Sequence, residues 1–376
     1  MMKILYTGAF RFPDRDAAAF RVFSVAELLK KLGHDTDFAG WESESEQYTY
    51  RGYQCYPMSE LDSQAKGHLF SKFFNFLFRG IRTFHWIKNN SRYDAVFLYN
   101  PPFAFSLIML FWAKKNNVKL ILDSTEWYQG AHLPGGRFGI CALENTLRMR
   151  ISYRLFSNVI SISEYLHDYF NAKNPTLLKP LIDDGCIQDS SKNEQETLIF
   201  AYAGQVGKKD KLEEFVKVLP QISEVTGRKV IFKIAGVSKR DLVNSFSSMK
   251  FQDYSPYIEL LGVLKRESVF ELYSSSDYLV FFRENARYAW AGFPTKATEA
   301  LSKGCKIITN NVGDIGSLIK SNDGCGILVE NNDFAMLPQM IFNSFDKKSD
   351  CKRVALEYFS YKSNLSKFSF FMKNLV

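Results

Sequence analysis

The feature that most limits what this chain can fold into is a rhythm that starts twice. In the first half, "KILYTGAF", "HDTDFAGW", "YDAVFLYNPP", "VKLILDST" and "SNVISIS" are short runs of the buried parallel-strand type, separated by helical stretches. In the second half, "LIFAYAGQVG", "KVIFKIAG", "YIELLG", "DYLVFF" and "CKIITN" repeat the pattern. Alternation of this kind calls for a parallel sheet with helices on both faces. The polar stretch "IDDGCIQDSSKNEQET", residues 182–197, reads as the linker between two such units. At 376 residues the chain is also too long for one ordinary core. The expected class is α/β, with two Rossmann-like domains (1–185 and 186–360) facing across a cleft and a tail at 361–376.

Composition narrows the partners without choosing one. With 46% hydrophobic and 23% charged residues the chain is globular rather than disordered. Forty-eight Lys and Arg against 40 Asp and Glu give a net charge of +8, which suits a nucleotide, a membrane surface or nucleic acid. The six cysteines are scattered, so reduced thiols in a cytoplasmic protein are expected and a zinc site is not. "MMKILYTG" reads as a strand, not a signal peptide. The most apolar run, "FAFSLIMLFWA" at 103–113, is about half of what a bilayer span needs.

The loops that follow the strands carry the chemistry of such folds. Asp16 caps "AAAFRVFSVAELLKKLG", whose Val22, Val25, Ala26, Leu29 and Leu32 share a face and whose Gly33 closes the helix. In "GFPTKATEALSKG", Pro294 suits the first helical position, leaving backbone N–H groups near Thr295 and Lys296 to hold a phosphate. Glu299, just over a turn further in, can accept two hydrogen bonds from a vicinal diol such as a ribose. An ordinary surface helix with a solvated glutamate has the same pattern. Lys208 and Lys209, after "AGQVG", either neutralise a diphosphate or are solvated at a helix start, where positive charge is mildly unfavourable. "PDRD" at 13–16 imitates a metal-binding Asp-x-Asp, but Asp16 is better explained as a cap.

On these motifs the chain resembles the retaining, GT-B-fold glycosyltransferases of group 1, which include sucrose synthase and many bacterial cell-wall and capsule sugar transferases. The resemblance rests on the Gly8 loop with "LLKKLGHD", on "NVISISEYL…LLKPLID", on "AYAGQVGKKDKL", and above all on "LVFFRENARYAWAGFPTKATEALSKGCKIITNNVGD". It implies a nucleoside diphosphate sugar in the second domain, a saccharide acceptor in the first, and no metal or cofactor. It also implies a final helix, "SNLSKFSFFMKNLV", crossing back to the first domain. Donor contacts would come from Gly8, Gly204, Arg283, Gly292, Phe293, Pro294, Thr295, Lys296 and, on the ribose, Glu299. The family's first glutamate falls on Ala291, so Glu284 or Asn285 would have to reach the sugar. The arginine that often follows the strand-end glycine is Gln205, which leaves the diphosphate to Lys208, Lys209 and Arg283. Thr125-Glu126 stands where the family often has a histidine beside an acid. Glu126 then serves as acceptor base or as a structural cap, with His132 the alternative; Asp16 and Arg21 are further acceptor contacts.

One stretch stands outside these motifs. Residues 66–92 carry Lys66, Lys72, Arg79, Arg82, Lys88 and Arg92 with no acid. Phe70, Phe73, Phe74, Leu77, Ile81 and Phe84 fall on one helical stripe, and Phe76, Phe78 and Trp86 remain. Either the helix is buried with solvated cations, or it meets an anionic membrane, at roughly 1 kcal/mol per cation. No nucleic-acid motif is present. The expectation is a cytoplasmic enzyme on the inner face of a membrane, moving a sugar with retention to a lipid-linked saccharide in surface polysaccharide synthesis. A nucleotide-sugar epimerase and a non-catalytic nucleotide- or glycan-binding scaffold are the rival readings.

Overall fold

A computed structural model describes residues 1–13, 15–43, 46–60, 76–90, 92–187, 196–204, 212–246, 250–330, 333–345 and 349–376. It divides into two units, Met1–Leu181 with Ala291–Phe293 and Asn364–Val376, and Ile182–Trp290 with Pro294–Ser363.

The first unit is built on β1 (Lys3–Gly8), β2 (Asp35–Gly40), β3 (Tyr48–Tyr50), β4 (Tyr53–Cys55), β5 (Ala95–Tyr99), β6 (Lys119–Ser124), β7 (Asn158–Ser161) and β8 (Asn174–Leu177). Their order in the sheet is β3-β4-β2-β1-β5-β6-β7-β8, and every pair is parallel except β3 with β4. The order reverses at β1, with Gly8 opposite both Gly40 and Tyr99. The strands of this unit absent from the sequence reading, β3, β4 and β8, are three or four residues long, too short for a periodic signal, as is β14 (Gly326–Val329) of the other unit.

The helix Ala17–Lys31 forms as expected, with Asp16 Oδ1 accepting from Ala19 N at 2.8 Å. Val22, Val25, Ala26 and Leu29 are buried, while Leu32 is the half-buried C-cap. Arg21, expected at the acceptor, is instead part of the core. Its Nε and Nη2 donate to the two oxygens of Asp123, at 3.3 and 3.1 Å. Its Nη1 donates to the carbonyls of Leu178 and Lys179. The Tyr6 hydroxyl donates to the same carboxylate. Burial, then the Asp123 charge, pushes the Tyr6 phenol well above its usual range. These bonds tie the first helix to β1, β6 and the segment after β8.

The second unit carries β9 (Thr197–Ala203), β10 (Lys229–Ala235), β11 (Ile258–Gly262), β12 (Tyr278–Val280), β13 (Lys306–Asn310) and β14 (Gly326–Val329). All pairs are parallel, in the order β11-β10-β9-β12-β13-β14. Counted within the unit this is 3-2-1-4-5-6, the dinucleotide-fold order, with its switch point between β9 and β12. Phe200, Phe215 and Phe232 pack as a chain of edge-on rings about which the core forms.

The last helix, Tyr361–Lys373, joins the first unit from Asn364 onward, as the resemblance implies. Phe368 and Phe371 are buried there. Asn174 Nδ2 donates to the Phe371 carbonyl, and Asn158 exchanges hydrogen bonds with the backbone of Val376.

Of the basic stretch, residues 66–75 and 91 lie outside the described residues. The helix Ile81–Asn89 buries Thr83 and Ile87, not Ile81 and Phe84. Trp86 packs on Tyr56, with ring centroids 4.7 Å apart, so it is not a spare aromatic. None of the six cysteines is in a disulfide.

The Arg21 placement has a measurable consequence. Arg21→Ala would strand Asp123 in the core and should cost about 3–5 kcal/mol in urea unfolding. A residue that served only the acceptor would leave the unfolding midpoint unchanged.

Candidate functional site

In the second unit the ends of the neighbouring strands β9 and β10 are held close together. Gly204, just after β9, has φ +145° and donates its N–H to the Ala235 carbonyl. Gly236, just after β10, has φ +86°, and a Cβ there would stand 2.8 Å from the Gly204 carbonyl oxygen. Bare backbone at the end of two adjacent strands leaves room for a ligand to approach the main chain.

Lys296 comes to this spot from the helix Thr295–Ser302. Its ammonium stands 4.0 Å from the centroid of the Tyr202 ring and 3.3 Å from where a Gly204 side chain would begin. Tyr202 is fully buried in β9, so the cation rests on a fixed aromatic floor, a contact of roughly 1–2 kcal/mol. The helix itself begins one residue later than expected. Pro294 is the N-cap, with ψ 103°, and no side chain caps the first turn. The first turn therefore offers main-chain N–H groups and the positive end of the helix dipole beside the Lys296 ammonium.

Glu299 lies a turn inside, with its side chain 16% exposed and Oε1 3.3 Å from Arg266 Nη2. Arg266 opens the helix Arg266–Ser274 that follows β11 and also lies over the Phe270 ring. Burial raises the Glu299 carboxyl above its ordinary value of 4.5, and Arg266 and Lys296 oppose that rise. Sequence reasoning missed Arg266 because nothing in a linear reading pairs positions 266 and 299. Gly236 was visible as the last residue of "KVIFKIAG", but its contact with Gly204 was not.

Arg283 is held by its backbone: its N–H donates to Asn310 Oδ1 at 2.9 Å and its carbonyl accepts from Asn310 Nδ2 at 2.6 Å. The clamp fixes the loop after β12 to the end of β13. Glu284 and Asn285 are exposed, and Asn285 Oδ1 accepts from Trp290 Nε1. Ala291, Gly292 and Phe293 group with the first unit, where the Ala291 carbonyl accepts from Ser163 Oγ and Lys179 lies over the Phe293 ring. The Gly-Phe-Pro corner is thus split, with Pro294 in the second unit. Lys208 and Lys209, with Gln205, lie outside the described residues.

In the first unit the expected residues separate. Gly8, at φ +142°, lies where any side chain would strike the Tyr99 carbonyl oxygen. The Tyr99 hydroxyl accepts from Thr125 Oγ1, and Asn100 exchanges two hydrogen bonds with Thr125. Glu126 follows at once, half-buried; burial, then its charge, pushes the Tyr99 phenol up. Gly8 and Glu126 therefore share the surroundings of Tyr99. Asp16 does not join them as a free carboxylate, since Oδ1 caps the helix and Oδ2 accepts from Arg11 N and Nε. His132 is exposed on the turn Gly130–His132.

The family Glycosyl transferases group 1 matches residues 186–353. That match falls on the stretch of chain that builds the second sheet, β9 to β14. Solved structures agree on the fold of the whole transferase. Sucrose-phosphate synthase from Thermosynechococcus elongatus superposes with a TM-score of 0.74 at 14% identity, over 100% of this chain and 99% of that one. HepE from Anabaena, in complex with UDP and glucose, gives 0.71 at 11%, over all of both chains. A TarM variant from S. aureus, in complex with fondaparinux, alpha-GlcNAc-glycerol and UDP, gives 0.71 at 10%, again over all of both. At such identities the likeness is one of fold, and the fold is GT-B. No curated protein matches the transferase at the level of sequence.

The strand-end contact gives a stability test. Gly236→Ala places a side chain at a positive φ against a neighbouring carbonyl and should cost about 1–3 kcal/mol of unfolding free energy. A neutral result would rule out close contact between the two strand ends.

Proposed function

We propose that the transferase moves a sugar, with retention, from a nucleoside diphosphate sugar to a hydroxyl of a saccharide acceptor that is lipid-linked and destined for a surface polysaccharide. One observation carries the reading: in a dinucleotide-order sheet, Lys296 stands beside Gly204 at the end of β9, next to Gly236, and its uncapped helix tip lies one turn before the half-buried Glu299 carboxylate. Cation, N–H groups and open backbone suit a diphosphate, and Glu299 suits the ribose diol beside it. HepE in complex with UDP and glucose and TarM in complex with UDP support the choice of a nucleotide ligand.

In this proposal the diphosphate leaves as charge builds on it, stabilised by Lys296, the N–H groups at Thr295 and Lys296, and, by resemblance, Lys208 and Lys209. The acceptor hydroxyl attacks from the same face, its proton passing to the departing phosphate or to Glu126. No covalent enzyme intermediate and no metal is required. Catalysis is then mainly positioning and charge stabilisation. A nucleotide-sugar epimerase would need acid and base groups at the sugar, where the sequence pattern offers Ala291.

Thermal stabilisation by UDP, ADP and GDP should identify the base, because a ligand that binds only the folded state raises the melting temperature. Glu299→Ala should weaken the preferred nucleotide roughly a hundredfold, the loss of two charge-assisted hydrogen bonds. Unchanged affinity would remove the ribose assignment. Donor binding needs the ionised carboxylate, and its pKa is raised. Binding of a nucleotide sugar, whose diester phosphates do not titrate there, should therefore begin to weaken on acidification above pH 4.5. Glu299→Gln should flatten that profile. Lys208→Ala with Lys209→Ala should lower turnover far more than stability, and full activity in the pair would defeat their role. The anomeric configuration of the product, read by NMR, decides retention.

A further inference from the structure

From Ile140 to Leu155 the first unit has one continuous helical run: an α-helix to Leu147, a π-turn over Arg148–Ser152 and a 3-10 turn over Tyr153–Leu155. A surface helix normally buries its apolar stripe, and this run also leaves one exposed. The buried side holds Asn145, Arg148 and Ser152 with Ala142, Met149 and Tyr153. The outward side carries Ile140, Leu143, Leu147, Ile151 and Leu155, three or four residues apart and so on one stripe. Leu143 and Leu155 are each 58% exposed, and Phe138, just before the run, is 97% exposed.

Charge on this face has a single sign. Arg137, Arg150 and Arg154 are exposed beside the apolar stripe. Between residues 127 and 163 the only acid is Glu144, which is half-buried and accepts from Phe103 N at 2.9 Å. The neighbouring helix Phe103–Asn116 comes from residues 95–122, which contain no acid at all. That helix leaves Phe111 76% exposed and ends in Lys114 and Lys115. Among the described residues no helix is long and apolar enough to cross a membrane.

We infer that this face, Phe138 to Leu155, docks the transferase on an anionic membrane surface. The apolar stripe and Phe138 would enter the boundary between headgroups and acyl chains, and Arg137, Arg150 and Arg154 would pair with lipid phosphates. The buried Arg148, lying over the rings of Tyr128 and Tyr153, holds the run in this orientation from the inside. The inference deepens the lipid-linked acceptor proposed above and takes its biological sense from it. It differs from the sequence expectation in the segment it uses, 138–155 rather than 66–92.

The test uses the full chain and sugar-free vesicles, with nucleotide binding measured in parallel so that loss of the donor site and loss of membrane binding are told apart. The wild type should float with phosphatidylcholine vesicles containing about one-third phosphatidylglycerol, not with phosphatidylcholine alone, and added salt should weaken binding. A quadruple change, Phe138→Ser, Leu143→Ser, Ile151→Ser and Leu155→Ser, should weaken flotation at least roughly tenfold while the melting temperature and nucleotide binding hold. If that variant fails to fold, Arg137→Glu, Arg150→Glu and Arg154→Glu should weaken it roughly a hundredfold. A wild type that stays in solution, or folded variants that float as well as the wild type, would overturn the inference. So would light scattering that shows a dimer split by the serine changes, since a second copy would then be what covers the stripe.

Discussion

Where neighbouring parallel strands end side by side, their ends can have little space between them. Both units meet this constraint in the same way. Gly8 ends β1 against the backbone of Tyr99, and Gly236 ends β10 against the backbone of Gly204. A side chain at either position would drive neighbouring strand ends apart. The same missing side chains leave main chain open to a ligand, so one packing requirement both closes the sheet and creates the place where chemistry is possible.

Two carboxylates, one fully and one partly withdrawn from water, show how burial sets what a charge has left to offer. Asp123 accepts from Tyr6 and from two nitrogens of Arg21, with both oxygens engaged inside a fully buried site. Glu299 has one cation, Arg266, on one oxygen, and that cation is itself 38% exposed. Removing a charge from water is costly unless hydrogen bonds replace the lost hydration. Asp123 has that replacement within the fold. Glu299 is only partly compensated, which is why its carboxyl is pushed up and why a diol donating two hydrogen bonds would suit it.

The run at 140–155 follows the same logic with the opposite outcome. Burying Arg148 between Tyr128 and Tyr153 turns the polar side of the helical run inward. The apolar side is then left facing out, because a helix has only two broad faces to assign. A cost accepted inside the unit thus creates an exposed surface that an isolated globular domain has no reason to keep.

Much of the fold was legible from residue order alone. The two β-α rhythms, the polar break near 182–197, the Asp16 cap and the switch-point loops follow from local periodicity and turn chemistry, which act over a few residues. The helix Thr295–Ser302 with Lys296 and Glu299 was legible for the same reason. Short strands such as β3, β4 and β8 were not, since three or four residues carry no period. Tertiary structure alone decided that Arg21 belongs to Asp123 rather than to a substrate, that Arg266 meets Glu299, and that Arg148 points inward. Each depends on a partner 33 or more residues away or on which side of a helix meets the core. Local sequence dictates backbone shape, but the environment of a charge is set by whatever the rest of the chain brings beside it.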